Sequence, residues 1–134
     1  MGNCNKAMLL TYNTTANTIV AGGAVPLGSA IHGIGTAIRL NGNTISLLAP
    51  GYYYIDVSAT ISGTAATEIS IQLTNNGVPI PGAVGSVLHA ADAEANVSIP
   101  WVIRKGCCGD ATQIGVILSE AGVVQNIVVR VIKA

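Results

Sequence analysis

Few side chains in this sequence have the types that nucleophilic, acid–base or metal chemistry needs. Cys107 and Cys108 stand next to each other two residues before Asp110, and Cys4 lies near the start. A cysteine nucleophile needs a base to generate the thiolate, and neither imidazole, His32 or His89, is close in sequence. A tight turn carrying free thiols is therefore expected at 107–108, and the odd count of three cysteines, without zinc or C-x-x-C spacing, argues against a disulfide framework. Adjacent cysteines bridge each other only with strain, so pairing of either with Cys4 of the same or a neighbouring chain stays open.

The two histidines lack partners at the spacing of common metal sites, which favours loop or surface roles. His89, Asp92 and Glu94 form a small polar cluster able in principle to ligate a hard cation, but a polar loop at a strand end is the simpler reading. No paired carboxylates, phosphate loop or nucleophile elbow is present, so no catalytic residue, metal ligand or cofactor is assigned, and the chain is read as a non-enzyme. Tyr52, Tyr53 and Tyr54 in succession raise the reading of a sugar- or base-stacking platform. Strand alternation instead sends Tyr53 inward and leaves Tyr52 and Tyr54 together on the other face, where packing against another subunit is the better use.

The elements that must position these residues are strands. β-branched residues alternate with polar ones over residues 7–12, 35–40, 44–48, 52–62, 68–74, 84–90, 96–104, 112–119 and 123–133, with Gly, Asn and Pro between them. The clearest, 52–62, sets Tyr53, Ile55, Val57, Ala59 and Ile61 on one face. The segment 68–74 ends at Asn75-Asn76-Gly77, a hairpin signal. Pro26, Pro50, Pro79 and Pro81 read as turn residues, whereas Pro100 falls inside a strand pattern and should mark an edge or bulge. About ten short strands without helical periodicity predict an all-β sandwich. It forms one domain over residues 7–134 after a short arm at 1–6.

Composition points to assembly. Half of the 134 residues are hydrophobic and only 9% are charged, against roughly 25% in an ordinary soluble domain. A small domain with so much apolar material must expose it or cover it with another chain. In the last strand Val124, Val128 and Ile132 alternate with Val123, Ile127, Val129 and Val131, so both faces are apolar and one is expected to meet a neighbouring subunit. Tyr52, Tyr54, Val124, Val128 and Ile132 are the expected interface residues. Six basic and six acidic residues cancel, giving no footprint for nucleic acid or an anionic membrane. No bilayer-length apolar run is present, and no signal-peptide h-region follows residues 2–6, so the sequons at Asn13 and Asn96 are read as chance matches.

The stretch Gly51-Tyr52-Tyr53-Tyr54-Ile55-Asp56-Val57 resembles the G-x-Y-x-F-x motif of the complement globular-head and TNF-like jelly-roll superfamily, with Ile55 in the aromatic position. The strand at 43–49, the apolar strand that closes on Asn76-Gly77, Gly109-Asp110 before a strand, and the terminal strand at 127–132 follow the family order. The resemblance spans residues 7–134 and is greatest to bacterial and phage members, whose N-terminal parts are like residues 13–29. It implies a TNF-like jelly-roll β-sandwich that assembles as a homotrimer. With Met1 at the start, and neither stalk nor export signal, the expected role is a structural module on a virion or other particle surface. A capsid decoration or head-fibre protein contacting a major capsid protein is the leading form. A bacterial surface or spore-coat tip domain is one alternative. The other is a module binding a host surface glycan or receptor through loops near 65–67 or 89–96.

Overall fold

A computed structural model describes residues 6–62, 67–89, 93–106 and 111–134, with the side chains of His32, Thr67 and His89 excluded. Eleven strands are present among them: β1 (Ala7–Asn13), β2 (Asn17–Ile19), β3 (Ser29–Ile34), β4 (Ile38–Asn41), β5 (Thr44–Leu47), β6 (Gly51–Ser62), β7 (Thr67–Asn75), β8 (Val78–His89), β9 (Glu94–Lys105), β10 (Thr112–Leu118) and β11 (Gly122–Lys133). The described residues contain no helix.

The strands form two antiparallel sheets. The larger runs β3-β1-β11-β6-β9, with β2 also pairing to β11, and the smaller runs β4-β5-β10-β7-β8. Consecutive strands β5 and β6, β6 and β7, β8 and β9, β9 and β10, and β10 and β11 lie in different sheets, so the chain repeatedly crosses the sandwich. This wrapping is the jelly roll expected from the sequence.

The core lies between the sheets, because alternation turns one face of each strand inward. Tyr53, Ile55, Val57, Ala59 and Ile61 of β6 meet Ile69, Ile71 and Leu73 of β7 and Ile114, Val116 and Leu118 of β10, all buried. The chain has no Phe, and branched aliphatics fill this layer around the buried ring of Tyr53. Its phenol donates a hydrogen bond to the Ala49 carbonyl. Burial pushes the Tyr53 pKa up, and that hydrogen bond offsets part of the rise.

Local chemistry sets the corners. Asn76 and Gly77 both have positive φ, 51° and 85°, the conformation of a two-residue hairpin turn whose twist matches its strands. The Asn76 amide donates to the Gln113 carbonyl, and Gln113 N–H donates back to Asn76 Oδ1, each at 2.8 Å. The turn is thereby tied to β10.

Four readings of the sequence change. The polar, Gly-rich stretch after β1 contains β2 and β3, which are short edge elements without strong alternation. The expected strand at 35–40 begins only at Ile38, because Gly35 adopts φ +76°. Pro79 and Pro81 belong to β8, not to turns. An edge strand tolerates them, and the register of β7 against β8 shifts between Gln72 and Thr74. Pro100 also lies on an edge strand, β9, as its lost ladder donor requires.

The fourth change concerns β11. Its register against β6 shifts between Val124, which pairs with Ile61, and Asn126, which pairs with Thr60. Gln125 is the extra residue, and its Nε2 donates to Ser62 Oγ at 2.9 Å. The bulge inverts the alternation, so Val124 points inward with Ile127, Val129 and Val131 and is only 2% exposed. Val124 therefore belongs to this protomer's own core and leaves the expected interface set.

Candidate assembly surface

The outer face of the larger sheet is where the expected residues converge. Strand register aligns them in rows, because directly paired residues point to the same side. One row crosses all five strands of the sheet path: Ile34 on β3, Met8 on β1, Ile132 on β11, Tyr54 on β6 and Val102 on β9. Every member is apolar or aromatic. Tyr54 is 50% exposed, Val102 50% and Ile34 55%. Tyr52, 54% exposed, flanks this row towards the start of β6, opposite Arg104.

The next row contains Leu10, Arg130, Asp56 and Pro100. Arg130 Nη2 donates to Asp56 Oδ2 at 2.6 Å, so the central charges on this face neutralise each other. Tyr12, Val128, Ser58 and Ser98 follow, and then Asn126, Thr60 and Asn96. Thr60 Oγ1 donates to Asn96 Oδ1 at 2.8 Å. The face thus grades from apolar near the start of β6 to hydroxyl and amide groups near its end, where Ser58, Thr60, Asn96 and Asn126 line a shallow hollow of about 410 Å³.

The smaller sheet presents a different surface. Ser70 and Ser86 share a hydrogen bond at 2.6 Å, Gln72 Nε2 donates to the Ile80 carbonyl, and Thr44 Oγ1 donates to Gln113 Oε1. Apolar exposure there lies mainly on β8, at Val78, Val84 and Leu88, with Leu48 just after β5. At the open edge between the sheets, the half-buried Trp101 lies over Gly82, where a Cβ would stand 3.3 Å from the indole. A glycine with φ +87° lets that ring close the edge.

Four of the expected interface residues, Tyr52, Tyr54, Val128 and Ile132, therefore share one surface, and Val124 does not. Met8, Leu10, Tyr12, Ile34 and Val102 on the same surface were not foreseen. Their signal was an apolar residue on the polar side of each alternating strand, as in β9, where Pro100 and Val102 interleave with Ile99 and Trp101. The cysteines, Asp92, Asp110 and the loop at 65–66 lie outside the described residues, as does the His89 side chain. Among the described residues no group of three or more His, Cys, Asp or Glu is placed to hold a metal, and no helix is long and apolar enough to cross a membrane. The surface has one prominent physical capacity, which is to bury apolar area against another surface.

Sheet order and strand wrapping give a jelly-roll β-sandwich, the fold also seen in complement globular-head and TNF-like structures. Solved structures with this architecture include murine APRIL, with a TM-score of 0.74 at 10% identity over 97% of this chain and 100% of that one. The globular domain of zebrafish complement 1qA gives 0.71 at 10% identity, covering 93% and 94%. The PRD1 vertex protein P5 gives 0.61 at 15% identity, covering 98% and 99%. No protein-family model matches the chain, and no curated protein matches its sequence.

Proposed function

We propose that this chain is a non-enzymatic, homotrimeric structural module displayed on a particle surface, as a capsid decoration or head-fibre protein of a phage. The observation that carries the trimer is the apolar row that runs across all five strands on one outer face of the sandwich, whereas the other outer face exposes its apolar residues mainly on the single edge strand β8. A second apolar patch lies elsewhere on the protomer, at the β8–β9 edge, where Trp101 and Val84 are partly exposed. Two different patches on one chain favour a head-to-side contact, and such contacts close into rings when the rotation permits. The Arg130–Asp56 pair lets the face be covered without burying an uncompensated charge.

The likeness to a phage vertex protein supports the particle-surface part of this reading. Major capsid protein is the proposed docking partner, and neither nucleic acid nor membrane is. Light scattering coupled to size exclusion tests the assembly: three chains of 13.5 kDa give about 40 kDa, stable on dilution and in reductant. A monomer at micromolar concentration overturns it.

A further inference from the structure

Among the described residues, most charges of this chain are sorted by end of the sandwich. Ala7 pairs with Lys133, Gly51 with Lys105 and Tyr52 with Arg104. Lys6, Arg104 and Lys133 therefore share the end where β1 begins and β11 finishes, while Lys105 beside them is buried, with its Nζ donating to the Gly106 carbonyl at 3.5 Å. At the opposite end Ser62 pairs with both Glu94 and Val123, Glu120 lies in the turn before β11, and Glu68 pairs with Leu88 near the end of β8. Of the remaining cations, Arg130 is neutralised by Asp56, and Arg39 is the second residue of β4, whose first residue pairs towards the basic end. Asp92 and Asp110 lie outside the described residues.

The twelve residues of β6 separate the two poles by roughly 40 Å at the usual rise per strand residue. That exceeds the screening length of about 8 Å at physiological ionic strength, so each pole acts on its surroundings as an independent surface. The basic pole also has a receptacle. A cleft of about 510 Å³ opens between Lys6 and Lys133, with Thr36, Leu48 and Pro50 on its walls. Gly51, at φ +143°, lets Lys133 lie across the strand start, since a Cβ there would stand 3.2 Å from its Cε.

We propose that this basic pole is a docking site for a carboxylate-rich segment of a partner protein. Ammonium groups beside Leu48, Ala37 and Pro50 suit a peptide that presents both acidic and aliphatic side chains, and the cleft lining has no aromatic ring on which a base would stack. The inference builds on the reading of the chain as a module attached to a larger assembly, and it specifies the chemistry of the attachment.

Fluorescence anisotropy with a labelled hexaglutamate peptide tests it. The full chain is expected to bind the peptide at 50 mM salt and to lose about tenfold in affinity at 200 mM, because exposed ion pairs are screened. Lys6→Gln with Lys133→Gln is expected to weaken binding about fivefold or more. Leu88→Glu with Ala121→Glu changes net charge by the same amount at the acidic end, and should leave affinity within about twofold. No binding at 50 mM salt, equal losses in the two variants, or tighter binding of a single-stranded DNA of equal charge would each overturn the proposal. Light scattering on the same samples separates the two readings: a persistent trimer that ignores the peptide sinks the docking site alone.

Discussion

Replacing Tyr54 with alanine is the sharpest perturbation of the assembly. The ring is half exposed in the protomer, lies within the apolar row, and has Ile132 and Val102 as its direct cross-strand neighbours. An aromatic residue offers about 200 Å² of surface, so covering the exposed half removes roughly 100 Å² from water, which at about 25 cal/mol per Å² is about 2.5 kcal/mol per protomer. Three protomers lose about 7.5 kcal/mol together, equivalent to about five powers of ten in the trimer dissociation constant. Sedimentation velocity across nanomolar to millimolar concentration reads this directly. Val20→Ala is the control, because Val20 is 70% exposed in the loop after β2, away from both apolar patches, and its truncation should leave association unchanged. Tyr54 carries no interface if its variant dissociates no earlier than the wild type, and the face is misassigned if Val20→Ala dissociates instead.

Val124→Ala should lower unfolding stability by about 2 kcal/mol through a core cavity while leaving the oligomer intact, measured by urea melts and light scattering. Thr11→Val should raise stability by about 1 kcal/mol, since Thr11 is fully buried and its hydroxyl has no hydrogen-bond partner among the described residues; a fall would mean that the hydroxyl is satisfied. Tyr53→Phe should cost about 1 kcal/mol near neutral pH by removing the hydrogen bond to Ala49. At higher pH the sign follows from the raised pKa. The unfolded phenol ionises near 10.0 and the folded one higher, so wild-type stability falls as pH rises above about 10. The variant lacks this contribution, and the gap between the two should narrow in alkaline urea melts; a gap independent of pH refutes the burial argument.

What could be read from the residues was whatever depends on a period of two and on turn chemistry. The alternation across β6 named all five inward side chains of that strand, because a half-buried strand cannot slip by one residue without exposing its core set. Asn76-Gly77 announced its hairpin, since few other pairs adopt two successive positive φ values. Low charge and high hydrophobicity announced surplus apolar surface without saying where it lies.

Tertiary structure decided the rest. The bulge at Gln125 depends on the pairing of β11 with β6, and a strict alternation extrapolated through it misassigned Val124. The strands β2 and β3 exist because β11 and β1 offer them edges to pair with, not because their own residues favour extension. The row from Ile34 to Val102 joins positions far apart in the chain, and the basic pole gathers residues from both of its ends. Sequence by itself determined which side of most strands is apolar; only long-range register, which no local propensity encodes, decided which of those sides lie together and which of them remain uncovered.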